Sequence, residues 1–207
     1  MAHNNGSLRV VGIGGTLREG STSLGALRRA LGPAKESGAE TELLDLRELN
    51  LRFYEPGKPL EEYGPEVERF VEAVREADAL LVGTAAYHGT LAGLTKNALD
   101  FLQFMAREKK PYLQDKVVRL IATAGGNMAV VNAINAMTNV VHALRGVASP
   151  LSAPVAQGWK AFDEEGNIRD NEVAGRLESL GWLVVEMATR QGADSGEPAE
   201  RALKTVA

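Results

Sequence analysis

Along the chain the spacing of apolar positions alternates between that of a strand and that of a helix. Leu8–Gly14 is an almost unbroken apolar run and reads as a buried strand. Leu24, Leu27, Leu31 and Ala34 then recur at helical spacing, which predicts a helix over Ser23–Ser37 that stops at Ser37-Gly38. Glu40–Leu46 alternates polar and apolar residues, as a second strand does. Arg47–Tyr63, broken by Pro56, Gly57 and Pro59, reads as a long loop of the kind that often serves function. Pro65–Ala77 predicts a helix with proline in its first turn and Val67, Phe70, Val71 and Val74 on one face. Asp78–Thr84 is a third strand, apolar throughout. A helix from about Leu91 to Arg107 follows, then a fourth strand at Lys116–Ala122 and a helix over Met128–Arg145. Gly146–Pro154 holds a short fifth strand. Val155–Asp170 is a loop with a tight turn at Asp163–Asn167, and Asn171–Arg190 is the last helix.

Five alternations of strand and helix predict an α/β fold. It is a three-layer sandwich with a five-stranded parallel sheet and helices on both faces. No repeat, linker or low-complexity segment divides the 207 residues, so one domain is expected. Residues 1–6 and the polar stretch 192–207 read as loose ends.

Three glycine-rich turns end strands one, three and four: Gly14–Ser23, Ala85–Gly93 and Thr123–Asn127. Open α/β sheets bind ligands outside the carboxyl ends of their strands. A strand order of 2-1-3-4-5 would gather all three turns around one crevice.

The first turn carries the most chemistry. Gly12–Ser23 reads GIGGTLREGSTS, between a strand and the start of a helix. Unpaired N–H groups at a helix N-terminus and the helix dipole favour an anion. Thr16, Ser21, Thr22 and Ser23 add hydroxyl donors, and Arg18 adds charge-assisted hydrogen bonds. Two rival motifs fail. A dinucleotide fingerprint needs a third glycine where Leu17 stands, and a triphosphate loop needs lysine where Ser21 stands. What remains suits a monophosphate held without a metal.

Composition narrows the choice. A net charge of −4 argues against nucleic acid or an anionic membrane surface as the partner. The absence of cysteine excludes thiol catalysis, disulfides and cysteine metal sites, and no His/Asp/Glu cluster has metal-ligand spacing. No apolar run reaches transmembrane length and no leader is evident, so the cytoplasm is the expected compartment.

Two motifs then resemble those of the NADPH-dependent FMN reductase family. Gly15-Thr16-Leu17-Arg18-Glu19-Gly20-Ser21-Thr22-Ser23 is similar to its phosphate turn. Tyr87-His88-Gly89-Thr90-Leu91-Ala92-Gly93-Leu94-Thr95-Lys96-Asn97-Ala98-Leu99-Asp100 is similar to its turn and helix after the third strand. Ala122–Gly126 resembles the next turn of its alkanesulfonate-system flavin reductases. The resemblance spans roughly residues 8–155. It implies a flavodoxin-like fold, FMN as cofactor or substrate, reduction by NADPH (or NADH), a small-molecule electron acceptor, and a homodimer or homotetramer. Carried over by position, Thr16, Arg18, Ser21 and Ser23 would hold the FMN phosphate, with Thr22 adding its N–H. Tyr87, His88, Gly89 and Thr90 would lie along the isoalloxazine, and Thr123, Gly125 and Gly126 would flank it. Two departures stand out: Ala85-Ala86 replaces the common Pro-Glu, and His88 replaces asparagine.

No catalytic acid or base is assigned, because hydride transfer to a flavin depends on stacking and alignment. His88 reads as a loop residue that shapes the pocket or sits at the surface, and Tyr87 as a packing residue. Lys96 and Asp100 read as an i,i+4 pair, and Asp45 as a strand-end residue. The helices 91–107 and 128–145 are apolar beyond one stripe, which suggests a covered second face and hence assembly. The rival functions are a flavodoxin-type electron carrier and, less well supported, a phosphate-loop nucleotide binder.

Overall fold

The computed structural model describes residues 7–194. In chain order its elements are β1 (Arg9–Gly14), α1 (Thr22–Glu36), β2 (Glu40–Asp45), α2 (Leu46–Leu49), α3 (Pro65–Glu76), β3 (Ala79–Tyr87) and β4 (Thr90–Leu91). They continue as α4 (Gly93–Asp100), β5 (Val117–Thr123), α5 (Asn127–Ala143), β6 (Val147–Ala148), β7 (Ala153–Val155), α6 (Gly158–Ala161) and α7 (Asn171–Asp194). The sheet runs β2-β1-β3-β5-β6, with β7 also on β5 and β4 on β3. Every pairing is parallel except β3 with β4. With β6 and β7 taken as one interrupted strand, this is the flavodoxin-like order 2-1-3-4-5.

The sheet has seven strands rather than five, for two local reasons. First, β3 continues past Thr84 to Tyr87 and reverses at His88-Gly89. Both turn residues have positive φ, 50° and 82°, as two-residue hairpins require. The expected loop is therefore a hairpin. Second, the fifth strand breaks between Ala148 and Ala153. Pro150 lacks an N–H and Leu151 has φ 66°. The Arg119 guanidinium, from β5, fills the gap. Its Nη1 donates to the carbonyls of Pro150 and Leu151 at 2.6 and 3.2 Å, and Nη2 donates to Met187 Sδ at 3.0 Å.

Strand residues alternate between two cores, as a sheet covered on both faces requires. Val11, Ile13, Leu80, Val82 and Leu120 face α3 and α5 with Phe70, Val74 and Met137. Val10, Leu81 and Ile121 face α1 and α7 with Leu27, Ala30, Leu177 and Val184. A Cβ at Gly181 would lie 2.1 Å from Ala30 O, so α1 and α7 cross almost backbone to backbone. Gly175 lies inside α7, and a Cβ there would have nothing within 4 Å. Gly175→Ala is therefore expected to raise stability by about 0.5–1 kcal/mol through helix propensity, read by chemical denaturation.

The helix expected over 91–107 is α4 followed by a 3-10 turn at Phe101–Met105, which brings buried Leu102 and Met105 into line at three-residue spacing. Its second apolar face is covered by the chain itself. Tyr54 and Tyr63, from the 47–63 loop, meet Phe101 edge-on at 5.7 and 4.9 Å between ring centres. Asn97 pins that loop by donating to Arg52 O and accepting from Tyr54 N–H, each at 2.9 Å. The loop also contains α2 and a 3-10 turn at Leu60–Glu62. Lys96 and Asp100 form the expected pair. The last helix passes Arg190 and reaches Asp194, so residues 192–194 are helical; the rest of the two loose ends lies outside the described residues.

Candidate active site

Ser21 caps α1: its Oγ accepts the Leu24 N–H at 3.3 Å and lies 3.2 Å from Ser23 Oγ. The first turn of α1 carries no acidic residue, so no side-chain carboxylate of its own occupies its N-terminus. By helix geometry the N–H groups of Thr22 and Ser23 have no intrahelical acceptor. Thr22 Oγ1 donates to Thr123 Oγ1 at 2.9 Å, which ties the turn after β1 to the turn after β5. Between them, a Cβ at Gly14 would lie 2.3 Å from Gly83 O, so only glycine lets β1 and β3 end this close together. The buried Thr84 hydroxyl accepts the Ala92 N–H and lies 3.0 Å from Thr95 Oγ1, fixing the hairpin base to the start of α4.

The three turns line one crevice of about 550 Å³. Thr16, Arg18, Gly20, Ser21 and Thr22 form one side, Ala85, Ala86 and Tyr87 a second, and Thr123, Ala124 and Gly125 a third. The fourth side is Gly158, Trp159, Phe162, Asp163, Glu164 and Arg169. Its size and its mix of apolar walls with a few polar groups are those of a small-molecule site.

Some expected residues stand elsewhere. Ser23 is fully buried, its side chain turned into the fold, and it reaches the crevice only through Ser21. His88 and Gly89 form the exposed tip of the hairpin, which points to α5: a Cβ at Gly89 would lie 3.9 Å from Asn132 Nδ2. Thr90 is exposed beside that tip, and Gly126 caps α5 just outside the lining. Tyr87 lines the crevice, where its backbone would meet a ligand, but at 56% exposure its ring is not packed into the fold. Asp45 caps α2 by accepting the Arg47 N–H at 2.9 Å, the role of a strand-end residue.

Sequence motifs do not reveal the fourth side. Residues 158–169 read as a connection, yet the strand order itself holds the signal. The turn after strand five opens on the same edge as the turn after strand four. Trp159 lies against Gly125, where a Cβ would meet Cζ3 at 3.2 Å.

The crevice lining carries charges of both signs, Arg18 and Arg169 with Asp163 and Glu164. Among the described residues the side chains of Arg18 and Arg169 form no hydrogen bond or ion pair and are left to face it. Asp163 is engaged by its own turn: Oδ1 accepts the Asn167 N–H at 2.7 Å and Oδ2 accepts from its side-chain amide at 3.1 Å. The backbone N–H of Asn167, helped by the charge of Arg169, holds the Asp163 carboxyl below the usual carboxylate range. What that bond adds to the turn is present above the ordinary carboxylate pKa and is lost as pH falls through the lowered one. Glu19, the carboxylate within the first turn, pairs with Arg47 at 2.8 Å.

The family model described as NADPH-dependent FMN reductase matches residues 8–160. An NAD(P)H-dependent FMN reductase of Pseudomonas aeruginosa is 31% identical over 171 residues, 80% of this chain and 86% of that protein. An NADPH:quinone oxidoreductase of Arabidopsis thaliana is 30% identical over 183 residues, 84% of this chain and 88% of that protein. Among solved structures, the flavoenzyme NAD(P)H:(acceptor) oxidoreductase FerB of Paracoccus denitrificans superposes with a TM-score of 0.67 at 22% identity, covering 89% of this chain and 98% of that one. The phosphate-type turn, the hairpin after β3 and the matched length agree, and the chain belongs to the NADPH-dependent FMN reductase family.

Proposed function

We propose that this chain is an NAD(P)H-dependent FMN reductase, a flavin oxidoreductase that moves a hydride from NADPH (or NADH) to FMN and the electrons on to a small-molecule acceptor such as free flavin or a quinone. The observation that carries the reading is the crevice. It joins a hydroxyl-lined helix N-terminus, with no acidic residue in the helix's first turn and flanked by Arg18, to a slot between Tyr87 and Thr123–Gly125. That donor set suits a phosphate at one end and a flat ring at the other. Once bound, FMN would supply the two-electron chemistry itself.

The chain's own residues bind and orient. Arg18, the hydroxyls of Thr16 and Ser21 and the Thr22 backbone N–H would donate to the phosphate, and buried Ser23 would hold Ser21 in place. Tyr87 and Thr123–Gly125 would confine the ring, with Trp159 and Phe162 closing the fourth side against water. His88, Gly89 and Thr90 at the hairpin tip and Gly126 at the start of α5 lie outside the lining and would meet an acceptor or the nicotinamide only as it approaches. Orientation contributes more here than proton transfer, so no acid or base is assigned.

We further propose a cytoplasmic, single-domain enzyme that assembles as a homodimer or homotetramer through α5. No helix among the described residues is long and apolar enough to cross a membrane. Met128 and Val131 of α5 are 72% and 45% exposed beside Asn132 and Asn135, a mixed apolar and amide face that association would cover. Light scattering of the purified protein is expected to give two or four times the chain mass; a monomer at micromolar concentration would contradict the assembly.

Activity is tested by following NADPH and NADH oxidation with FMN, a quinone or air as acceptor. Oxidation that requires added or bound FMN is expected. Flavin binding without NAD(P)H oxidation would instead favour the electron carrier.

A further inference from the structure

We infer that the phosphate end of the crevice is completed by Arg169, a second cation supplied by the turn after strand five. This rests on the flavin reading above. Arg169 lies beyond residues 8–160, the part of the chain that the family model matches, and so no family motif assigns it a role.

The turn carrying Arg169 is built onto the first turn. A Cβ at Gly20, whose φ is 63°, would lie 1.9 Å from Glu164 O, and a Cβ at Gly25 would lie 2.0 Å from Gly166 O. Backbone thus meets backbone at two points on either side of Ser21. The Asp163–Asn167 turn is closed by the Asn167 side chain and by Asp163 N–H to Asn167 O at 2.9 Å. Phe162 bridges Ile168, and the Arg169 N–H donates to Ala161 O at 2.8 Å. Arg169 is therefore presented from a fixed backbone to the crevice that also holds Arg18 and the α1 N-terminus.

Charge points the same way. Neither guanidinium has an ion-pair partner among the described residues, although other arginines are widely paired, Arg47 with Glu19 at the rim among them. The crevice also holds two carboxylates: that of Asp163 is bonded to Asn167 and feels the Arg169 charge, and that of Glu164 is exposed without an ion-pair partner among the described residues. A phosphate dianion carries two charges, which one arginine would only half neutralise and which Arg18 and Arg169 together would match.

The test compares FMN with riboflavin, which has the ring and no phosphate. In Arg169→Ala, FMN affinity is expected to fall about two- to fivefold, the range of a solvent-exposed ion pair, while riboflavin affinity stays unchanged. Arg169→Lys is expected to recover part of the loss, and Arg169→Gln, which keeps a polar side chain without the charge, to repeat it if the alanine variant melts early. Equal losses for FMN and riboflavin would overturn the inference, since Arg169 would then only support the turn. A higher KM for NADPH with KM for NADH and FMN affinity unchanged would also overturn it, by assigning Arg169 to the phosphate of the nicotinamide nucleotide. Unchanged FMN affinity in all three variants would overturn it too. A wild-type protein that binds no FMN would instead overturn the flavin reading beneath it.

Discussion

Arg18→Ala is expected to lower the affinity for FMN at least tenfold, equivalent to about 1.4 kcal/mol. Arg18 sits on the exposed turn before α1 with no ion-pair partner among the described residues, so the substitution removes a cation without freeing a carboxylate. The loss should exceed that at Arg169. Arg18 stands within the turn that also offers Thr16, Ser21 and the open N–H groups of α1, so its bonds act together with theirs. Because the contact is electrostatic and exposed, the difference between wild type and variant should shrink as salt is raised. Titration of flavin absorbance at two ionic strengths reads both effects. Riboflavin, lacking the phosphate, should bind wild type and variant alike. Unchanged FMN affinity would mean that the first turn is not the phosphate site.

Gly25→Ala is expected to destabilise the protein by about 1–3 kcal/mol, the cost of forcing atoms into a filled site. Gly25 lies inside α1, where alanine is ordinarily better by up to about 1 kcal/mol. Propensity loses here because the new Cβ would lie 2.0 Å from Gly166 O, with Phe162 Cε1 at 3.5 Å. A flexible side chain could step aside; a carbonyl in a closed turn cannot without moving the turn. Gly175→Ala, inside α7 and facing open space, should have the opposite sign. Chemical denaturation of the pair therefore separates packing from propensity. The Gly25 variant should also lose flavin affinity, since the 162–169 turn would shift away from Ser21. A neutral or stabilising Gly25→Ala would show that this turn does not dock on α1.

Much of the architecture is legible in the sequence because the central strands are apolar on both faces, the edge strand β2 alternates and the helices recur at helical spacing, so the period separates them. Glycine at positions 12, 14 and 15, followed by four hydroxyl residues and one arginine, marks the first turn as an anion site without any knowledge of contacts. The break in the fifth strand is not legible. It depends on Arg119, a charged residue on a central strand, finding the carbonyls of Pro150 and Leu151 across the fold. The covering of Phe101 and Phe104 is hidden for the same reason. Their partners, Tyr54 and Tyr63, lie some forty residues away in a stretch with no periodic pattern. His88 looks like a ligand-facing residue because it stands in the middle of a motif. Its positive φ puts it at a hairpin tip, and sequence spacing cannot report that. The fourth side of the crevice shows the remaining limit. Trp159 and Arg169 acquire meaning only once β7 is seen beside β5.

A crystal structure of the protein with FMN decides whether the crevice is the flavin site. The phosphate is expected against the N-terminus of α1, within hydrogen-bond distance of Arg18 and of the Ser21 hydroxyl or the Thr22 N–H. The ring is expected in the slot bounded by Tyr87 and Thr123–Gly125. FMN bound with its phosphate away from Thr16–Thr22, or in another part of the molecule, would contradict that assignment.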